Sequence, residues 1–150
     1  MLEKFHVAQK DIVHIEEKRL RSVTKEILMT QGIPEKDAIL ATDALIKADL
    51  RGVESHGVSN MLRAYLGAFK SNSLNPKPNW KIVKETPSCA TINSDNGLGI
   101  VVAPRAMEIA VEKAKKTGAG IVTMNNCGHL GMLAYHSMIA SDNDMIGTTM

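Results

Sequence analysis

Aromatic residues are scarce in this 150-residue chain: two phenylalanines, two tyrosines and one tryptophan, 3% of the total. A surface that stacks nucleic-acid bases needs more rings, interleaved with basic residues. Here lysines and arginines are dispersed among acids to a net charge of +2, so nucleic acid is not the expected partner. Cysteine is equally sparse. Cys89 and Cys127 lie far apart without the paired spacing of a zinc site, and nothing indicates a secretory context that would bridge them, so a reducing cytoplasm is expected. Long apolar runs are missing too. Residues 1–18 mix charged and apolar positions, with no stretch like a signal-peptide core or a membrane span, and no membrane anchor is expected. What remains is 44% hydrophobic and contains 9 methionines, enough for one aliphatic core and about one domain.

Breakers divide the chain. Residues 1–14 read as an extended lead-in, with Phe5, Val7, Ile12 and Val13 as its apolar contacts and with His6 and His14 solvated. Over 15–31, Leu20, Val23, Ile27 and Leu28 recur at helical spacing and Gly32 is placed to stop the helix. Pro34, Glu35 and Asp37 suit the start of a second helix, whose stripe is Ala38, Ala41, Leu45 and Ala48 and which ends at Gly52. A third amphipathic face follows in Val58, Leu62, Tyr65, Leu66 and Phe69, with Ser59 as its expected N-cap.

Beyond Asn75-Pro76-Lys77-Pro78-Asn79 the composition shifts to strands. Residues 80–85 and 89–93 read as an antiparallel pair. The turn from Ser94 to Gly99 leads into a helix over 100–117 with Ala106, Met107, Ile109 and Ala110 inside, Glu112, Lys113 and Lys116 outside, and Gly118 as its cap. Residues 120–124 read as a buried strand, 132–140 as a helix and 145–150 as another apolar strand, an order that suggests a parallel crossover. The expected fold class is therefore α/β: a helical unit over residues 1–74, then part of a mixed sheet with helices over 75–150. A chain that stops within an apparent buried strand is expected to be truncated, because such a strand needs neighbours.

Two stretches have the composition of a chemical site. Asp49-Leu50-Arg51-Gly52-Val53-Glu54-Ser55-His56-Gly57-Val58 is a charged turn holding an imidazole beside glycines. Asn125-Asn126-Cys127-Gly128-His129-Leu130-Gly131 repeats that setting between a strand and a helix. Glycines allow close backbone approach, and a neutral imidazole moves protons near neutrality, so His56 and His129 are candidate acid/base residues sharing one pocket. Taken singly, each also reads as a residue that fixes its own turn. Arg51 and Arg63 are candidates for a two-pronged bond to a substrate carboxylate, although an ion pair of Arg51 with Asp49 or Glu54 is the simpler reading. Gly97-Leu98-Gly99 lacks the third glycine of a dinucleotide fingerprint, position 102 being Val102, and is rejected as a phosphate cradle. His129 and His136 lack the carboxylate that would complete a metal cluster. A hydrolase built from His56, His129 and Asp95 lacks an activated nucleophile.

These stretches, with Asn75-Pro76, Asp95-Asn96-Gly97-Leu98-Gly99, Ala106-Met107-Glu108, Gly128-His129-Leu130-Gly131 and Tyr135, resemble the malate/L-lactate dehydrogenase family of non-Rossmann oxidoreductases. The resemblance implies hydride exchange between NAD or NADP and C2 of a small 2-hydroxy or 2-oxo acid, such as malate or lactate, by a homodimer. It implies that His56 or His129 is the acid/base, that Arg51 holds the loop or the carboxylate, and that Ser55 bonds substrate or orients His56. Many relatives carry an arginine four residues after the loop histidine, where this chain has Asn60. Arg63 is then the alternative carboxylate ligand, unless substrate preference differs. Family members are more than twice as long, so an N-terminal fragment inactive alone is expected, with an association-only remnant as the alternative.

Overall fold

The computed structural model describes residues 8–150. Phe5, Val7 and His6 of the expected lead-in lie outside the described residues. Ile12 and Val13 within it are exposed, so they do not supply the apolar contacts expected of them. A short 3-10 turn, Gln9–Asp11, precedes three helices. Helix α1 (Glu17–Thr30) buries Leu28 and Thr24 and stops at Gly32, whose φ of +85° suits a residue without a Cβ. Helix α2 (Glu35–Leu50) follows Pro34, with Glu35 and Asp37 at its positive end. Its predicted stripe of Ala38, Ala41, Leu45 and Ala48 is buried, and alanine lets α1 approach closely.

Helix α3 (Arg63–Lys70) does not begin at an N-cap Ser59 as expected. A 3-10 turn, Glu54–His56, and a π turn, Val58–Leu62, lead into it, with Gly57 between them. The first amide of that π turn, Val58 N–H, donates to Asp49 Oδ2 at 2.9 Å, so an aspartate nine residues upstream does the capping. Helix α3, entered from that turn, buries Tyr65 and Phe69.

The second half holds strands β1 (Lys81–Glu85) and β2 (Cys89–Gly97), helix α4 (Gly99–Thr117), strand β3 (Ile121–Cys127) and helix α5 (Leu133–Ser141). The expected pairing of β1 with β2 is antiparallel, and β2 pairs with β3 in parallel, giving a mixed sheet in the order β1-β2-β3. The parallel crossover is therefore β2–α4–β3. Residues 145–150, expected as a strand, are not one: Ile146 is fully exposed and no sheet partner is offered to them. Strand β3 is likewise less buried than its apolar sequence suggests, since it lies at the sheet edge and Ile121 faces outward. The expected turn at Ser94–Gly99 is instead the end of β2, bent where Asp95 and Asn96 take positive φ.

Leu28, Leu45, Tyr65 and Phe69 share one apolar core with Leu98, Ile100, Val101, Met132 and Tyr135, so the helices pack directly on the start of α4 and on α5. Each large aliphatic side chain buried there contributes about 1.5–3 kcal/mol. Polar ties complete the frame. Asp43 of α2 accepts from Arg21 of α1 at 2.9 Å and from the Tyr135 hydroxyl of α5 at 2.8 Å. Lys113, expected on the outside of α4, is buried: its ammonium donates to Glu85 at 2.9 Å and to the Thr86 carbonyl at 2.6 Å, pinning the β1–β2 hairpin. The aliphatic stem of lysine tolerates burial when its head finds oxygen partners.

Candidate functional site

Folding stacks the two loop histidines. The His56 and His129 rings lie 5.4 Å apart between centroids and only 13° from parallel. His56 arrives on the turn between α2 and α3, and His129 on the loop leaving the C-terminal end of β3, the end at which α/β sheets commonly bind ligands.

Glycines make both loops possible. A Cβ on Gly57 would sit 1.6 Å from Asp49 Oδ1, so only glycine lets that carboxylate reach the Val58 amide and close the His56 turn. A Cβ on Gly99 would meet the Gly128 and His129 carbonyl oxygens at 2.3 and 2.5 Å, and one on Gly131, at φ +68°, would meet Ile100 Cγ2 at 2.6 Å. Gly99 and Gly131 thus let the His129 loop pack against the start of α4. The Cβ side of Gly97 is filled by Pro78 and that of Gly99 by the loop carbonyls, so these glycines serve packing within the chain and offer no cradle for a phosphate.

Hydrogen bonds fix the rings. Ser55 Oγ lies 2.9 Å from His56 Nδ1, within hydrogen-bond reach of the ring. His129 Nδ1 receives the Gly131 N–H at 3.2 Å and meets the Tyr65 hydroxyl at 3.1 Å. Partial desolvation of this still exposed ring, aided by the neighbouring His56 charge, lowers the His129 pKa from the usual histidine value. Burial also raises the Tyr65 phenol well above its ordinary range, so this hydroxyl stays protonated beside the imidazole. Helical periodicity reads Tyr65 only as core, because the pattern registers its ring and not the hydroxyl that meets His129.

Other candidates fall elsewhere. Arg51, just past α2, and Arg63, at the start of α3, are exposed, and neither makes an ion pair among the described residues. The expected pairing of Arg51 with Asp49 or Glu54 does not form, since the Asp49 carboxylate is turned to the Val58 amide. Asn60 donates to the Glu54 carbonyl at 2.8 Å and ties the His56 turn from outside. Asp95 accepts from the Asn75 side chain and the Asn79 amide, both at 2.9 Å, which engages it in holding the proline-rich connection. Burial pushes the Cys127 thiol up, which disfavours the thiolate a nucleophile requires. No cluster of three metal-ligating residues exists among the described residues, and none of their helices is long and apolar enough to cross a membrane. A hollow of about 920 Å³ between the β1–β2 hairpin and α4, lined by Trp80, Ile82, Arg105 and Glu108, contains none of the predicted site residues.

The chain is 45% identical to the L-sulfolactate dehydrogenase of Methanocaldococcus jannaschii over 124 residues, which covers 83% of the chain and 36% of that protein. It is 43% identical over all 150 residues to a malate dehydrogenase of Pyrococcus abyssi, covering 41% of that protein. The structure of the malate dehydrogenase from Pyrococcus horikoshii OT3 superposes on 95% of the chain and 40% of its own length, with a TM-score of 0.86 at 40% identity. The chain thus spans well under half the length of these relatives. The family described as malate/L-lactate dehydrogenase matches residues 15–150, and the chain belongs to it.

Proposed function

We propose that these residues form the proton-handling part of an NAD- or NADP-dependent oxidoreductase that interconverts a small 2-hydroxy acid, such as malate or lactate, with its 2-oxo acid. The stacked imidazoles carry this reading, because alcohol oxidation needs a base at the hydroxyl and the reverse reaction needs an acid at the same oxygen. The nicotinamide cofactor would exchange hydride with C2. The glycine turn before α4 does not fit its phosphates, so no contact to it is assigned. What this chain supplies is the acid/base, His56 or His129, the hydroxyl of Ser55 behind His56, and two exposed guanidinium groups, Arg51 and Arg63, free of ion pairs among the described residues and available to a substrate carboxylate.

Residues 1–74 act in this proposal as the helical unit that presents His56. Residues 75–150 are the partial α/β unit that presents His129. The family resemblance supports a homodimer, and two free cysteines suit the reducing cytoplasm. Because the chain spans 36–41% of the relatives' length, residues 1–150 alone are not expected to turn over. Saturable NADH oxidation by purified 1–150 with a 2-oxo acid would refute that point and remove the alternative of an association module.

The test is a panel of 2-oxo acids with NADH and NADPH, assayed on the polypeptide that carries these residues in its full gene product. Loss of the acid/base in His56→Ala or His129→Ala should cost about a hundredfold or more in kcat. Arg51→Ala or Arg63→Ala should raise KM instead. Turnover indifferent to both histidines would overturn the reading.

A further inference from the structure

A third histidine shares a peptide group with the pair. His136 is 1% exposed, and its Nε2 lies 2.7 Å from the Leu130 carbonyl oxygen. A carbonyl oxygen only accepts, so Nε2 of His136 bears hydrogen. The nitrogen of the same Leu130–Gly131 peptide donates to His129 Nδ1 at 3.2 Å. A backbone N–H only donates, so Nδ1 of His129 bears none, and the proton of the neutral ring sits on Nε2. The Tyr65 hydroxyl, 3.1 Å from that nitrogen, can turn its proton either way, but the Gly131 amide settles the direction for both.

We propose that His136 is a positioning residue: by holding the Leu130–Gly131 peptide it locks His129 as the Nε2–H tautomer, so His129 stands beside His56 as a neutral hydrogen-bond donor and His56 exchanges the proton. The peptide cannot turn over cheaply. Its carbonyl is the only acceptor His136 has among the described residues, since Nδ1 of that buried ring has no partner. Gly131 is also packed on Ile100 and Tyr65. The chain of donors, His136 to peptide to His129, polarises in one direction, which strengthens each bond. His56 is under no such constraint. Its Nδ1 faces a serine hydroxyl that donates to a bare nitrogen or accepts from a protonated one, so either tautomer and the imidazolium are accommodated. The ionisable groups facing the two constrained rings are His56 and Tyr65 at His129, and Tyr135 at His136, where the rings meet edge-on at 5.6 Å.

The division of labour between His56 and His129 rests on the oxidoreductase reading; the tautomer lock does not. Histidine 15N NMR of the protein reads the lock directly. His129 is expected as a single Nε2–H tautomer across neutral pH, and an Nδ1–H tautomer or an even mixture overturns the proposal. His136→Phe should release His129 into a mixture, while His136→Gln, whose amide can donate to the Leu130 carbonyl, should keep the single tautomer. Where His136→Phe does not fold, His136→Asn, too short to reach that carbonyl, takes its place with the same expectation. A lock that persists in Phe or Asn removes His136 from the account. In the active gene product, His129→Gln restores a neutral N–H donor and should stay within about tenfold of the parent kcat, whereas His56→Gln should lose about a hundredfold or more. Equal losses overturn the division. The spectra need no turnover, so a wrong tautomer refutes this inference alone, and a correct tautomer without 2-hydroxy-acid activity refutes only the reading on which the division rests.

Discussion

Replacing Gly57 by alanine isolates the contact that closes the His56 turn. Gly57 has φ −86° and ψ −174°, an extended conformation open to any residue, so alanine meets no backbone strain there. The whole effect must come through Asp49, whose Oδ1 lies 1.6 Å from the position of the new Cβ and whose Oδ2 accepts the Val58 amide at 2.9 Å. The carboxylate has to swing out and the charge-assisted bond is lost, at about 1.5–3 kcal/mol. Alanine also narrows the unfolded ensemble, which offsets about 0.4–1 kcal/mol. The net expectation is a destabilisation of about 0.5–2.5 kcal/mol, a Tm fall of a few degrees at this chain length. Urea titration of the parent, Gly57→Ala, Asp49→Ala and the double variant supplies the assay. Once Asp49 is alanine there is nothing to expel, so Gly57→Ala should then be neutral or slightly stabilising. Equal destabilisation in both backgrounds would show that the new Cβ does not act through Asp49.

Gly99→Ala forces a Cβ onto backbone, 2.3 Å from the Gly128 carbonyl oxygen, and should displace the His129 loop; a kcat fall of about a hundredfold with helix content intact by circular dichroism checks it. Lys113→Ala strips the hairpin of its bonds to Glu85 and Thr86 and should cost about 1–3 kcal/mol, seen as faster amide exchange in β1. The pKa values of His129 and His136 are lowered in the folded state, so between those values and the usual 6.5 or so the unfolded chain binds protons that the native one refuses. Stability should therefore be whole above about pH 6.5 and decline as pH falls through that window, with a shallower decline in His136→Gln. A urea midpoint that rises on acidification in this window contradicts the sign.

The elements that depend on neighbours in sequence were legible from it. The apolar stripe of α2, the antiparallel hairpin at residues 80–93 and the Gly118 cap follow from spacing and from residues with few conformations to choose among, and the structure agrees. What escaped depends on partners distant in the chain. Lys113 reads as surface because its partners lie on a hairpin some 28 residues away, and residues 145–150 read as a strand because apolar composition does not reveal whether a sheet edge is within reach. The paired imidazoles could be suspected from their matching glycine settings, but nothing local announces Tyr65, 64 residues from His129, or the capping role of Asp49. A π turn has no sequence signature of its own, and α3, which buries Tyr65, follows directly on it.

The measurement closest to the central claim is the nuclear Overhauser spectrum between the ring protons of His56 and His129, assigned with single-histidine variants. Rings stacked at 5.4 Å between centroids should give direct ring-to-ring cross-peaks that vanish in either His→Ala variant. Resolved ring protons of both residues with no cross-peak between them would place the imidazoles in separate surroundings and contradict a shared proton-handling pocket.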